Sequence, residues 1–189
     1  MKGLKIGLNV VLLLIVAFLT FTLVNTVKEP IDFENEKTRR NDALVSKLEK
    51  IRQSQTAYKN LYKEYASKWD TLVTVVKNDS FEVSKVIGNP DDSTVVTKVE
   101  IIKISILDSL FAGKTSAADS LPFVPNTAGT TFDLQADTIV RNGVTIPAFE
   151  ASVPYTDAYT GLKKKYYAQK IGDAFKVGSI KEGHTNISY

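Results

Sequence analysis

The sequence of 189 residues contains no cysteine and a single histidine. The first absence removes disulfide staples, thiolate nucleophiles, cysteine-ligated metals and lipidation of an amino-terminal cysteine together. It fits an exported chain and a cytosolic one equally. The second absence excludes any multi-histidine metal site, and His184, in the tail GHTNISY, has no neighbour in sequence with which to build a triad. An excess of one charge is missing too. The formal net charge is +3, with acids and bases mixed along most of the chain. No basic stripe of the kind that neutralises phosphates appears, so nucleic acid is not an expected partner.

Charge is wholly absent from residues 6–24, IGLNVVLLLIVAFLTFTLV, where Asn9 is the one strongly polar side chain. Nineteen such residues can cross the hydrocarbon of a bilayer as a helix. Lys2 and Lys5 precede the run, and Lys28 followed by Glu29, Asp32, Glu34 and Glu36 comes after it. The positive-inside rule then places the amino terminus in the cytosol and the rest of the chain beyond the membrane. A cleaved signal peptide is the competing reading, but its apolar core is usually shorter and ends in a small-x-small site, for which Val24-Asn25-Thr26 is a poor substitute. The expectation is an uncleaved anchor over residues 1–27. Phe21-Thr22-Leu23-Val24 resembles the start of a mature type IV pilin, yet it lies at the far end of the apolar run, follows Thr20 rather than Gly, and has Asn25 where a pilin has Glu.

Glycine and proline are absent from residues 31–87, which permits a long helix. Pro30 and Asp32 predict its start, with Asp32 as N-cap and the acids at 34 and 36 in the first turn. Leu44, Leu48, Ile51, Gln55, Tyr58, Tyr62, Tyr65, Trp69, Leu72 and Val76 alternate spacings of four and three, a repeat of 3.5 residues. Such a stripe serves either as a coiled-coil seam between copies or as the face that packs on the chain's own domain. The large rings at 58, 62, 65 and 69 favour packing. Arg39, Arg40, Lys47, Lys50 and Arg52 suit a solvated neck. Ser67-Lys68-Trp69-Asp70 has the form of a capping box and predicts a break near 66–67, with a second helix ending around Asn78-Asp79-Ser80. The neck is therefore residues 28–79.

Residues 80–189 change character. Gly88-Asn89-Pro90-Asp91-Asp92 is a turn by composition, residues 98–106 (KVEIIKISI) are the strongest strand, and residues 113–119 read as a polar loop. Residues 131–140 and 144–153 flank Arg141-Asn142-Gly143, the signature of a hairpin. Pro147 demotes the second strand to an edge or a bulge. Residues 175–180 are a last short strand, and residues 162–171, LKKKYYAQKI, alternate in a way that slightly favours strand over helix. The expected class is α+β: a transmembrane helix, a long amphipathic neck and an antiparallel β-rich domain.

No set of residues points to a reaction. Asp91 and Asp92 with Asn89 lack the twelve-residue calcium pattern, and Asp133, Asp137 and Glu150 have no glycine-rich or nucleophile motif beside them. Lys163-Lys164-Lys165 reads as a solvated face or a contact with anionic lipid. Asn186-Ile187-Ser188 matches a glycosylation sequon too short to carry weight. No cofactor or metal is expected.

The stretches EKTRRNDALVSKLEKIRQSQTAYK, WDTLVTVVKNDSF, KISILDSLF and FKVGS, with Glu-Pro and a Phe just after the apolar run, resemble a group of small single-pass membrane proteins of Bacteroidota. That resemblance implies topology and no activity. The layout is also similar to pilin-like and pseudopilin-like subunits. The expectation is a non-enzymatic binding or structural subunit of an envelope complex in the inner membrane, its bulk in the periplasm. Its partners would be the membrane, other envelope proteins or further copies of itself. The interaction candidates are Asn9, Leu44, Leu48, Ile51, Tyr58, Tyr62, Tyr65 and Trp69. A filament or secretion-machinery subunit and a periplasmic ligand sensor are the alternatives.

Overall fold

The structure, a computed structural model, describes residues 2–87 and 98–189. Helix α1 runs unbroken over Lys2–Tyr62, about 90 Å at 1.5 Å per residue. Its first part is bare: Leu13 is 69% exposed and Phe18 66%. From Phe33 onward it becomes the spine of the folded domain, with Phe33, Leu44, Leu48, Ile51 and Tyr58 buried.

The predicted start at Pro30 does not occur. The chain passes through Pro30 in helical conformation, although the ring removes the hydrogen bond to the Thr26 carbonyl, normally a cost of about 3 kcal/mol. Contacts to the domain from Glu29, before the proline, and Phe33, after it, hold this stretch helical. Asp32 is thus an interior residue, and the acids at 34 and 36 pair with Lys37, Arg39 and Arg40 one turn on. Nor is the basic part of α1 a solvated neck. Arg40 donates to the carbonyls of Ala158 and Thr160, Lys47 to that of Ser120 and Lys50 to that of Leu110.

Helix α1 stops at Tyr62, earlier than the spacing predicts, because Lys63 turns left-handed at φ 66°. Helix α2 follows over Trp69–Asn78, with Lys68 at its N-cap and no side-chain cap. The Ser67–Asp70 box is not used. Gln55 holds the corner instead: its buried amide donates to the Ala66 carbonyl at 2.8 Å and accepts from the Ala66 N–H at 2.9 Å. Gln55→Leu would leave both groups of Ala66, 2% exposed, without partners. The expected loss is about 2–3 kcal/mol, read in the detergent-solubilised chain by denaturant titration of the fluorescence of Trp69, its single tryptophan.

Strands β1 (Ser80–Ile87) and β2 (Lys98–Ser105) form an antiparallel ribbon joined to no other strand among the described residues. The predicted turn at 88–92 and the Asn89, Asp91, Asp92 cluster fall outside the described residues. Two short helices, α3 (Ile106–Phe111) and α4 (Thr115–Asp119), come next. The second replaces the loop predicted for 113–119: Ala118 is fully buried, and α4 packs on α2 and α3.

The second sheet has the order β3–β4–β5–β6, all antiparallel: Asp133–Arg141, Val144–Pro154, Ala174–Gly178 and Ile187–Ser188. Asn142 and Gly143, at φ 52° and 78°, make the tight turn that the Asn-Gly pair predicts. Strand β4 is central only where β5 covers it. That pairing begins at Glu150 opposite Gly178, so Pro147 sits on a locally free edge and its missing N–H costs the sheet nothing on that side. Helix α5 (Tyr155–Ala158) follows β4. Residues 162–171 are not a strand: they form two 3-10 turns, Lys164–Tyr166 and Ala168–Lys170. This coiling sends Tyr166 onto Phe33 and Tyr167 onto Tyr159. Phe132, Phe149, Phe175, Tyr155 and Tyr159 fill the core. Burial pushes the Tyr159 hydroxyl up to about 12, so it remains a donor, to Asn41 at 2.6 Å.

Candidate functional site

Of the two uses of the stripe on α1, the structure shows the packing one. Leu44, Leu48 and Ile51 are fully buried, Tyr58 nearly so, and α1 touches α2, α3, β1, β5 and β6. That leaves this face no open seam. Beyond it the spacing is split by the corner. Tyr62 is 48% exposed and donates to Asp79 at 2.7 Å. Tyr65 leans on Phe149 at 4.7 Å, and Trp69 donates from its indole nitrogen to the Phe132 carbonyl at 2.9 Å. Asn9 lies on the exposed apolar stretch of α1.

The most built polar cluster lies five residues past the apolar run. Glu29 Oε1 takes Lys163 Nζ at 2.8 Å, Lys165 Nζ at 2.7 Å and the Tyr166 hydroxyl at 3.0 Å. Tyr166 stacks on Phe33 at 4.7 Å, and Lys165 lies over the Tyr166 ring at 4.6 Å. Hydrogen bonds from Lys163, then Lys165 and Tyr166, hold the Glu29 carboxyl down at about 2 against an ordinary 4.5. Beside this clamp is a cleft of about 560 Å³ between α1 and the loop after α5, lined by Asn25, Lys28, Asp32, Phe33, Gly161 and Lys163.

A carboxylate lowered in the folded state stabilises above its unfolded value and loses that contribution as pH falls toward its folded value. The difference in melting temperature between the parent chain and Glu29→Gln should therefore be constant above about pH 4.5 and vanish toward pH 2. Because the pair is exposed, molar salt should shrink it as well. Thermal scans of both chains in detergent check this.

A second feature is the ribbon. Ile101 is 64% exposed, with Val83, Ile102 and Ile104 also open, and Glu82 meets Lys103 at 3.5 Å. A groove of about 990 Å³ separates β1 from α1, lined by Arg52, Gln53, Asn60, Lys63, Phe81 and Leu110 among others.

The other candidates each have a local partner. His184 Nε2 lies 2.9 Å from Glu182, and its Nδ1 accepts from the Asn186 N–H. Asp133 accepts from Gln135, Asp137 from the Thr138 N–H, and Glu150 faces Lys176 at 3.5 Å. Among the described residues no group of three or more histidine and acidic side chains could hold a metal ion. The clamp was not visible in sequence, because its two halves are more than 130 residues apart; the first of several acids after an apolar run and a later lysine triplet are its signals. Comparison of the chain with protein families, curated proteins and solved structures returned no match.

Proposed function

We propose that the chain is a single-pass protein of the bacterial inner membrane, and that its folded domain serves in the periplasm as a non-enzymatic binding or structural subunit of a cell-envelope complex. The observation that supports this reading best is the double use of α1. One helix is an uncovered apolar rod from residue 9 to 24 and the buried spine of the domain from Phe33 to Tyr58. A cleaved signal has no need to be continuous with the core it leaves behind. Lys2, Lys5 and the amino terminus directly before the run, against Lys28 directly after it, support a start in the cytosol. The open apolar ribbon β1–β2 offers a surface for another protein. Affinity purification from solubilised membranes at native expression should recover a reproducible set of envelope proteins. Recovery of the chain as a partner-free monomer would contradict the reading.

The same helix favours one alternative, a pilin-like subunit, since its free first half and its second half laid on an antiparallel sheet have that layout. It requires a shortened amino terminus and filaments on overexpression. A peptide from the membrane-bound chain that still contains Lys2 and Gly3 would exclude the processed form.

A further inference from the structure

Helix α1 is a ruler, and it fixes the height of whatever touches it. At 1.5 Å per residue, Asn25 stands about 1.5 Å beyond the end of the apolar run and Glu29 about 7.5 Å beyond it. The headgroup layer on each side of the hydrocarbon is roughly 5–8 Å deep. The loop after α5 meets α1 within this interval: Gly161, Leu162 and Lys163 share a cleft with Asn25 and Lys28, and Lys163 and Lys165 grip Glu29.

We propose that the loop at 161–165, together with Lys28, is a membrane-surface contact that takes the phosphates of anionic phospholipid headgroups. This rests on the anchored reading of residues 6–24. Charge supports phosphate as the ligand. Four ammonium groups, Lys28, Lys163, Lys164 and Lys165, gather where Glu29, Asp32 and Glu36 are the nearby carboxylates; Glu29 engages two of the four, and Glu36 is held by Arg39 and Arg40. Lys28 and Lys164 make no ion pair among the described residues and are exposed. The clamp thus has two tasks, to seat the domain on the helix and to hold a basic loop at headgroup depth. A juxtamembrane lysine near an anionic surface is attracted over about a Debye length, so the contact depends on lipid charge and weakens with salt.

The absence of native cysteine makes the test direct. Full-length Phe18→Cys, Lys164→Cys and Thr56→Cys chains, each carrying an environment-sensitive fluorophore, are placed in vesicles of phosphatidylcholine alone or with phosphatidylglycerol. Spin-labelled lipids serve as quenchers at headgroup and acyl depth. The Lys164 side chain makes no hydrogen bond or ion pair among the described residues, so its label leaves the fold intact. The expected result is acyl-depth quenching at 18, several-fold stronger headgroup-depth quenching at 164 than at 56, and a further increase at 164 with phosphatidylglycerol. Quenching at 18 with 164 behaving like 56, or indifferent to lipid charge, overturns the proposal. No quenching at either 18 or 164 overturns the anchored reading and this contact with it.

Discussion

A chain with arginine at both Leu13 and Val16 is expected to leave the carbonate-resistant membrane fraction almost completely. The run at 6–24 holds fourteen Leu, Ile, Val or Phe residues, which contribute about 4–8 kcal/mol to insertion on a biological scale. Two arginines beside its centre cost about 5–7 kcal/mol, enough to cancel that preference. The two positions suit the test because Leu13 and Val16 are 69% and 55% exposed and carry none of the domain's packing. The emission maximum of Trp69, whose indole N–H is held by the Phe132 carbonyl, should therefore be unchanged. A double variant still embedded after carbonate washing would mean that the segment does not hold the chain by spanning the bilayer.

The second large effect is expected within the domain. Gly178 closes β5 at φ +79°, and a Cβ there would lie 2.2 Å from the Phe149 carbonyl oxygen and 3.1 Å from its carbon. Both atoms belong to the backbone of the neighbouring strand β4, so no side chain can swing aside. Its N–H is also the bond that receives the returning tail, to the Asn186 carbonyl at 3.0 Å. Gly178→Ala should cost about 4 kcal/mol or prevent folding. Gly161→Ala, at φ +84° but with open space at the Cβ, should cost only about 1–2 kcal/mol for the left-handed backbone. Equal losses in denaturant titrations of the two variants would show that close packing of β5 on β4 is not the cause.

Features that depend on neighbours in sequence were legible. The uncharged run, the stretch without glycine or proline, the strand at 98–105 and the Asn-Gly hairpin each carry their physics in a window of a dozen residues. What escaped were outcomes set by distant partners. Pro30 breaks a helix in isolation, but Glu29 and Phe33 are fastened to Lys163, Lys165 and Tyr166 far along the chain. Ser67 and Asp70 have the letters of a cap, but Gln55 satisfies Ala66 from the preceding helix and the turn is made earlier, at Lys63. Arg40, Lys47 and Lys50 look solvated until the carbonyls that end α3, α4 and α5 are placed beside them. Alternation in LKKKYYAQKI slightly favoured a strand, but its two adjacent tyrosines reach separate aromatic partners through two tight turns. For the interaction candidates, periodicity identified a buried face from Leu44 to Tyr58 but not what would bury it.

If α1 carries the membrane segment and the domain as one rigid unit, a distance along it decides the matter. Nitroxide labels at Phe18 and Thr56, in the full chain reconstituted in bilayers, flank Pro30 with one site in the apolar run and the other on the spine. Pulsed electron spin resonance should give a single narrow distribution near 57 Å, the span of 38 residues at about 1.5 Å each. A broad or much shorter distribution would mean that the helix is interrupted between anchor and domain. A chain recovered from cells without the label at 18 would show that the apolar run is removed and anchors nothing.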